Sequence, residues 1–278
     1  MATAPSSTGE LALLEPAYPA LAPEDRPRVD HLVTEDDTPV DNIYSEKQQR
    51  LLPASLYDSW HGPGTGGAFI ALANVGLFYG INIPPHVPDV LVSLDVTLPA
   101  DIWEKGHRSY MLWEYGKPPD VVIEVVSNTI GGEASTKLQS YARIGIPYYV
   151  IYDPQQQLSE RTLVVYEKQA TGYVARSDFF LPGLELGLML WQGRFEDRED
   201  TWLRWCTLDG AMLLTGHEQA EQERLRAEQA EHNAEQAQQR VTQAQQQATQ
   251  ARLRAEQAEQ RAARLAARLR ELGIEPDA

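Results

Sequence analysis

The stretch PPDVVIEVVSNTIGGEASTKLQSYARIGIPYYVIYDP, residues 118–154, reads as strand, helix, strand. Val121 to Val126 form an apolar run interrupted only by Glu124, and period-2 alternation puts Asp120, Val122, Glu124 and Val126 on one face. The segment GGEASTKLQSYARIG then has Leu138, Tyr141 and Ala142 at helical spacing, with Gly145 as a natural C-terminal stop. PYYVIYD returns as a strand. A strand–helix–strand crossover of this kind belongs to a mixed sheet with helices packed on it, an α/β or α+β core. Glu124 raises the chemical question. An unpaired carboxylate buried among valines costs several kcal/mol or is neutralised by a shifted pKa. Such a residue must be paired, bind a metal, or sit at a sheet end.

The elements around the crossover extend the same architecture. VDNIYSEKQQRLLPASLYDSW has helical spacing with Pro53 as its expected stop, and AFIALANVGLFYG and DVLVSLDVTL read as strands. SYMLWEYG reads as a further strand, and TLVVYEKQATGYVARS as a hairpin turning at Ala170-Thr171-Gly172. Trp191, Trp202 and Trp205 are expected to seal the core edge rather than stack bases.

Composition divides the chain into three regions. Residues 1–40 are rich in Pro, Ala and acids without period, and read as a disordered or loosely docked lead-in. Residues 41–210 carry nearly all the aromatic and β-branched residues and hold the core. Residues 217–272 are built from Ala, Gln, Glu and Arg on a seven-residue repeat. With Ala220 at position a, every seventh residue to Leu269 is Ala, Val or Leu, and the d positions from Ala230 to Leu272 are Ala or Leu, Glu223 being the polar exception. That is a coiled-coil seam on a helix about 80 Å long. Glutamates crowd its first third and arginines its last, so an antiparallel homodimer is expected, acid facing base.

The net charge of −16 argues against binding nucleic acid or anionic membrane by bulk charge alone, although a bound cation can reverse the field locally. The single cysteine, Cys206, excludes an intrachain disulfide and a cysteine zinc cluster. The N-terminus lacks the pattern of a signal peptide, and the most apolar window, 68–83, is shorter than the roughly 20 residues of a membrane span. A cytoplasmic location is the expectation.

Two segments begin alike, VPDVLVS with Asp89 and PPDVVIEVVS with Asp120, and Lys137 lies near the start of the helix after the second. One Asp, one Glu and one Lys from adjacent strands and the next helix suit metal-assisted phosphodiester hydrolysis. Carboxylates hold Mg²⁺ or Mn²⁺, and the lysine orients water or stabilises charge developing on the phosphate. Each residue also has a plainer reading. Asp89 and Asp120 follow prolines, where Asp serves turns, and Lys137 suits a solvated helix face. His86 and His107 lack a second histidine at ligand spacing, and Asp153 reads as a strand terminator.

These residues resemble the PD-(D/E)XK nuclease superfamily, the restriction-endonuclease-like fold. More closely, VPDVLVSLDV, PPDVVIEVVSN and KLQSYARIGIPYYVIYDP resemble the Uma-two family of bacterial endonucleases over roughly residues 40–200. The resemblance implies a Mg²⁺-dependent endonuclease acting on DNA, with Asp89 and Glu124 as metal ligands. The superfamily's simplest pattern has lysine two residues after the Glu, where this chain has Val126, so the role is carried over to Lys137. Asp120 is a water-bridged contributor or a strand cap, and Glu46 on the N-terminal helix is the candidate third acid. Two other classes compete: a nuclease-like binding or assembly protein without turnover, organised by its coiled coil, and a glycosidase-type hydrolase, which lacks a second acid at defined spacing.

Overall fold

The computed structural model describes residues 20–32, 42–127 and 132–271. In chain order the elements are α1 (Ile43–Ser59), β1 (Phe69–Ala73), β2 (Leu77–Phe78), β3 (Val90–Leu94), β4 (Tyr110–Met111), α2 (Leu112–Tyr115) and β5 (Val121–Val125). After a π turn at Glu133–Lys137 come α3 (Leu138–Ile144), β6 (Tyr148–Tyr152), β7 (Leu163–Gln169), β8 (Gly172–Ala175), β9 (Phe180–Leu181), β10 (Leu186–Phe195), β11 (Arg198–Thr207) and α4 (Gly216–Glu271).

The main sheet has six strands in the order β1-β3-β5-β6-β7-β8. The pair β5–β6, joined across α3, is parallel, and the other four pairs are antiparallel. The central strands β3, β5 and β6 are buried at every residue, which explains why they read as near-continuous apolar runs. On one face α1 and the three-stranded sheet β11-β10-β9 pack Leu52, Leu56, Leu203 and Trp205 against Val90, Val92, Ile123 and Val150. On the other face α3 packs Tyr141 and Ile144 against Leu91, Val122, Tyr149 and Ile151. This is a mixed α+β fold of the restriction-endonuclease-like kind.

The sequence reading needs correction in three places. Helix α1 does not stop at Pro53 but runs on to Ser59, capped at its start by the Asn42 side chain, which accepts from the Ser45 N–H at 2.9 Å. A proline inside a helix costs about 3 kcal/mol. Leu52 and Leu56, both fully buried on the flanks of Pro53, recover roughly 1.5–3 kcal/mol each, enough to carry the helix through. SYMLWEYG is strand only at Tyr110–Met111. It then winds into α2, which Gly116 terminates at φ 72°. The segment 186–207, read only for its tryptophans, is a hairpin of two ten-residue strands, β10 on β11. Trp202 and Trp205 are fully buried, and Trp205 Nε1 donates to the Leu52 carbonyl at 3.1 Å. The crossover and the β7–β8 hairpin stand as read, with Gln169 opposite Gly172 and Ala170-Thr171 between them.

Of the N-terminal lead-in, residues 1–19 and 33–41 lie outside the described residues. Within 20–32, Val29 and Leu32 pack on Phe78, Met111 and Trp113, and Arg26 pairs with Glu114 at 2.5 Å. The chain divides into two compact units, Met1–Gly216 and His217–Ala278. The helix of the second, α4, spans 56 residues, consistent with the coiled-coil reading. Among the described residues no helix is long and apolar enough to cross a membrane.

Candidate active site

Strands β3 and β5 pair antiparallel with Val90 opposite Ile123, and the same register carried one step further sets Asp89 opposite Glu124. Here the ladder gives way to side chains. The Val125 N–H donates to Asp89 Oδ2 at 2.6 Å, so the aspartate occupies the place of a strand neighbour's carbonyl. The other oxygen, Oδ1, accepts from Gln49 Nε2 of α1 at 2.5 Å. Asp89 is thereby held from two sides at the mouth of the sheet.

Glu124 is 2% exposed, with both its oxygens engaged. Oε2 accepts from Lys137 Nζ at 2.9 Å, and Oε1 accepts from the Tyr141 hydroxyl at 2.7 Å. Lys137 and Tyr141 are one helical turn apart, so they reach the same carboxylate from one face of the turn and α3. The π turn places the first of them. The Lys137 N–H bonds back to the Gly132 carbonyl at 3.1 Å, five residues earlier, and Gly132 adopts φ 73° to start the turn. Single π turns of this kind recur at functional sites. A third acid completes the cluster: Glu133, 7% exposed, lies 3.3 Å from Lys137 Nζ through Oε1, while its Oε2 is buried without a hydrogen-bond partner.

The electrostatics follow from burial and from the two acids, Glu124 and Glu133, that share one ammonium. Burial pushes the Glu124 carboxyl up to about 8; Lys137 and Tyr141 oppose the rise and the nearby Asp89 charge adds to it. Burial acts against the charge on Lys137, but Glu124 and Glu133 outweigh it and hold its pKa above the ordinary lysine value. The Tyr141 hydroxyl is pushed far up by burial and by Glu124, so it serves as a donor to the carboxylate. His86, half-buried, stacks on Tyr79, meets the Tyr141 ring at 4.9 Å between centroids, and shares a 2.5 Å hydrogen bond with Ser140 Oγ. It buttresses the tyrosine.

Asp89, Glu124 and Lys137 are therefore brought together, and the other two sequence candidates are not. Asp120 lies four residues before Glu124, just ahead of β5 and about 13 Å away at strand spacing. Its Oδ2 accepts from the Leu94 N–H at 2.7 Å and from Lys117 at 2.5 Å, bracketing the far end of the β3–β5 pair. Glu46 pairs with Arg50, which reaches Glu196 at 2.6 Å, in an exposed ion network. From α1 it is Gln49 that meets the site. Asp153 ends its strand by accepting from the Gln157 and Leu158 N–H groups at 2.9 and 2.7 Å. Gln49 and Glu133 are not site candidates in the sequence reading, and Tyr141 enters it only as part of an apolar helix face. Glu133 alone left a trace there, as an acid four residues before Lys137, at helical spacing.

A divalent cation fits this site by its donor chemistry. Among the described residues no three His, Cys, Asp or Glu side chains are arranged to hold an ion by themselves. Mg²⁺ does not need three, being bound commonly by one or two carboxylates together with water and substrate phosphate. Asp89 and Glu124 supply the carboxylates, and the orphaned Glu133 oxygen marks a pole of negative charge that Lys137 alone leaves incompletely answered.

The mixed sheet thus delivers an Asp and a Glu from paired strand ends, with a lysine from the turn that opens the following helix. The family model described as "Putative restriction endonuclease", Uma2, matches residues 35–191, and the chain belongs to that family. No curated protein matches it.

Proposed function

We propose that the protein is a metal-dependent endonuclease that hydrolyses phosphodiester bonds of DNA at the Asp89–Glu124–Lys137 site. The observation that supports this most is the convergence of two carboxylates from adjacent strand ends with a half-buried lysine bonded to one of them. Bound there, Mg²⁺ or Mn²⁺ supplies Lewis-acid polarisation of the phosphate and acidifies a water. Asp89 and Glu124 hold the ion, and the Val125 N–H, Gln49 and Tyr141 fix the carboxylate orientations. Lys137, with three donors and only 24% of its side chain exposed, turns part of its hydrogen bonding from Glu124 to the attacking water or a phosphate oxygen. Its positive charge opposes the negative charge that builds on the phosphoryl oxygens as the water attacks phosphorus and the P–O bond to the leaving sugar breaks.

The test is Mn²⁺ binding by paramagnetic resonance alongside cleavage of plasmid and oligonucleotide DNA with Mg²⁺. Wild type should bind and cut. Lys137→Ala should keep or tighten Mn²⁺ and lose at least 100-fold in rate, on the order of one removed electrostatic donor. Asp89→Asn and Glu124→Gln should lose both. Metal binding without cleavage of DNA or RNA would favour a nuclease-like binding protein, and absence of both sinks the proposal.

A further inference from the structure

We infer that the apolar face of α4 is covered by the α4 of a second copy of this chain, running parallel and in register. The helix is continuous over Gly216–Glu271 with no buried residue. Its a and d positions carry Val241 at 49% exposure and Leu265 at 63% among the alanines. Between the g-position stems of Arg254 and Arg261 the small seam residues leave a trough lined by Ala258, Ala262 and Leu265, the shape a coiled-coil knob enters. An isolated helix gains nothing by holding such a face to water over 56 residues.

Orientation is decided by the charges that flank the seam, and these reverse the antiparallel expectation. That expectation rested on the acidic and basic thirds of the helix. Yet Glu218, Glu221, Glu228 and Glu235 stand at f and b, and Arg264 and Arg270 at c and b, all facing away from a partner. Only e and g positions lie beside the seam. In a parallel pair each g meets the e five residues on in the other copy, which joins Arg226 to Glu231 and Arg254 to Glu259 and opposes no like charges at e and g; the one like pair is Glu223 at d, which meets its own counterpart at the start of the seam. In a fully overlapped antiparallel pair g meets g and e meets e. Arg226 then faces Arg268, Arg240 faces Arg254, and Glu231 faces Glu259, all repulsive. Parallel packing also layers Val241, Leu265 and Leu269 each on its own counterpart, which buries more apolar area than the antiparallel register, where Val241 and Leu265 meet alanines and Leu269 meets Glu223. It brings the two Gly216 ends to one end of the rod, whereas antiparallel packing parts them by about 84 Å.

The full-length chain tests this by sedimentation equilibrium and cysteine cross-linking. The mass should be twice the 31.1 kDa of the monomer, and monomer or any other stoichiometry at tens of micromolar overturns the inference. Ala227→Cys should link to itself, and Leu265→Cys should link to itself. Linkage only in a mixture of the two variants marks the antiparallel register and overturns it. Charge reversal provides a second route that does not depend on cysteines. Arg226→Glu with Arg254→Glu should raise the dimer dissociation constant by roughly tenfold or more. Mixing that chain with one carrying Glu231→Arg and Glu259→Arg should restore association. Tighter self-association of the Arg226→Glu, Arg254→Glu chain, as antiparallel g–g contacts require, refutes the parallel arrangement.

Discussion

Replacing Glu124 by glutamine isolates the energetic burden of the buried acid. In the folded protein the carboxyl holds its proton up to about 8, against an ordinary value of 4.5. Between those limits the native state binds a proton that the unfolded chain has released, so stability falls as pH rises. At about 1.4 kcal/mol per pH unit the total is about 5 kcal/mol as an upper figure, of which about 3 kcal/mol lies between pH 5 and 7. The contribution is intact below about 4.5 and gone above about 8. Glutamine cannot titrate. Its carbonyl can satisfy either Lys137 or Tyr141 but not both, which costs a constant 1–2 kcal/mol or so at every pH. Urea unfolding in a chelator at pH 5, 6, 7 and 8 should therefore show the wild type losing stability relative to Glu124→Gln as pH rises, while other titrating groups cancel in the difference. Mg²⁺ should abolish the wild-type slope by displacing the proton and leave the variant unmoved. A wild-type minus variant difference that stays constant from pH 5 to 8 would show Glu124 ionised throughout and refute the reasoning.

Three further outcomes follow from the same geometry. Tyr141→Phe removes the donor to Glu124 Oε1, so it should cost about 1–3 kcal/mol in denaturant unfolding and weaken Mn²⁺ binding measured by calorimetry. Gln49→Glu sets a further carboxylate directly against Asp89, so its thermal midpoint should fall in chelator and rise more than that of the wild type when Mg²⁺ is added. Gly145→Ala meets no atom within 4 Å of the new Cβ but must hold φ 90°; it should cost about 1–2 kcal/mol in urea unfolding with metal binding intact.

The sequence reading grouped Asp89, Glu124 and Lys137 through alternation, adjacency and the family resemblance. Glu124 stood out because a carboxylate among valines needs a reason, and Asp89 because it opens the strand that pairs with it. Lys137 followed from the short crossover, which returns a helix start to the end of the strand before it. The contributions of Gln49 and Tyr141 were invisible for different reasons. Gln49 reaches Asp89 from a helix 40 residues upstream, through a neutral amide that carries no chemical signature of its own. Tyr141 was read as part of an apolar helix face, which its ring is, while its hydroxyl reaches Glu124. Asp120 shares the strand face of Glu124, but alternation does not distinguish the two ends of a strand. The stop expected at Pro53 failed because a local rule met larger tertiary burial, and the 186–207 hairpin escaped because polar residues and tryptophans masked its alternation.

The π turn before α3 makes the lysine's position a matter of chain length as well as identity. One backbone bond, from the Lys137 N–H to the Gly132 carbonyl, spans one residue more than an ordinary helical turn. Losing Ala134, Ser135 or Thr136 would turn the residue that follows by about 100° around the helix axis relative to Gly132. Lys137 would then leave Glu124 with every site side chain still encoded. A one-codon deletion in this turn is thus a route by which a lineage can silence the site while keeping its residues, and a single-codon insertion in an α-helical relative is a route by which it can be set.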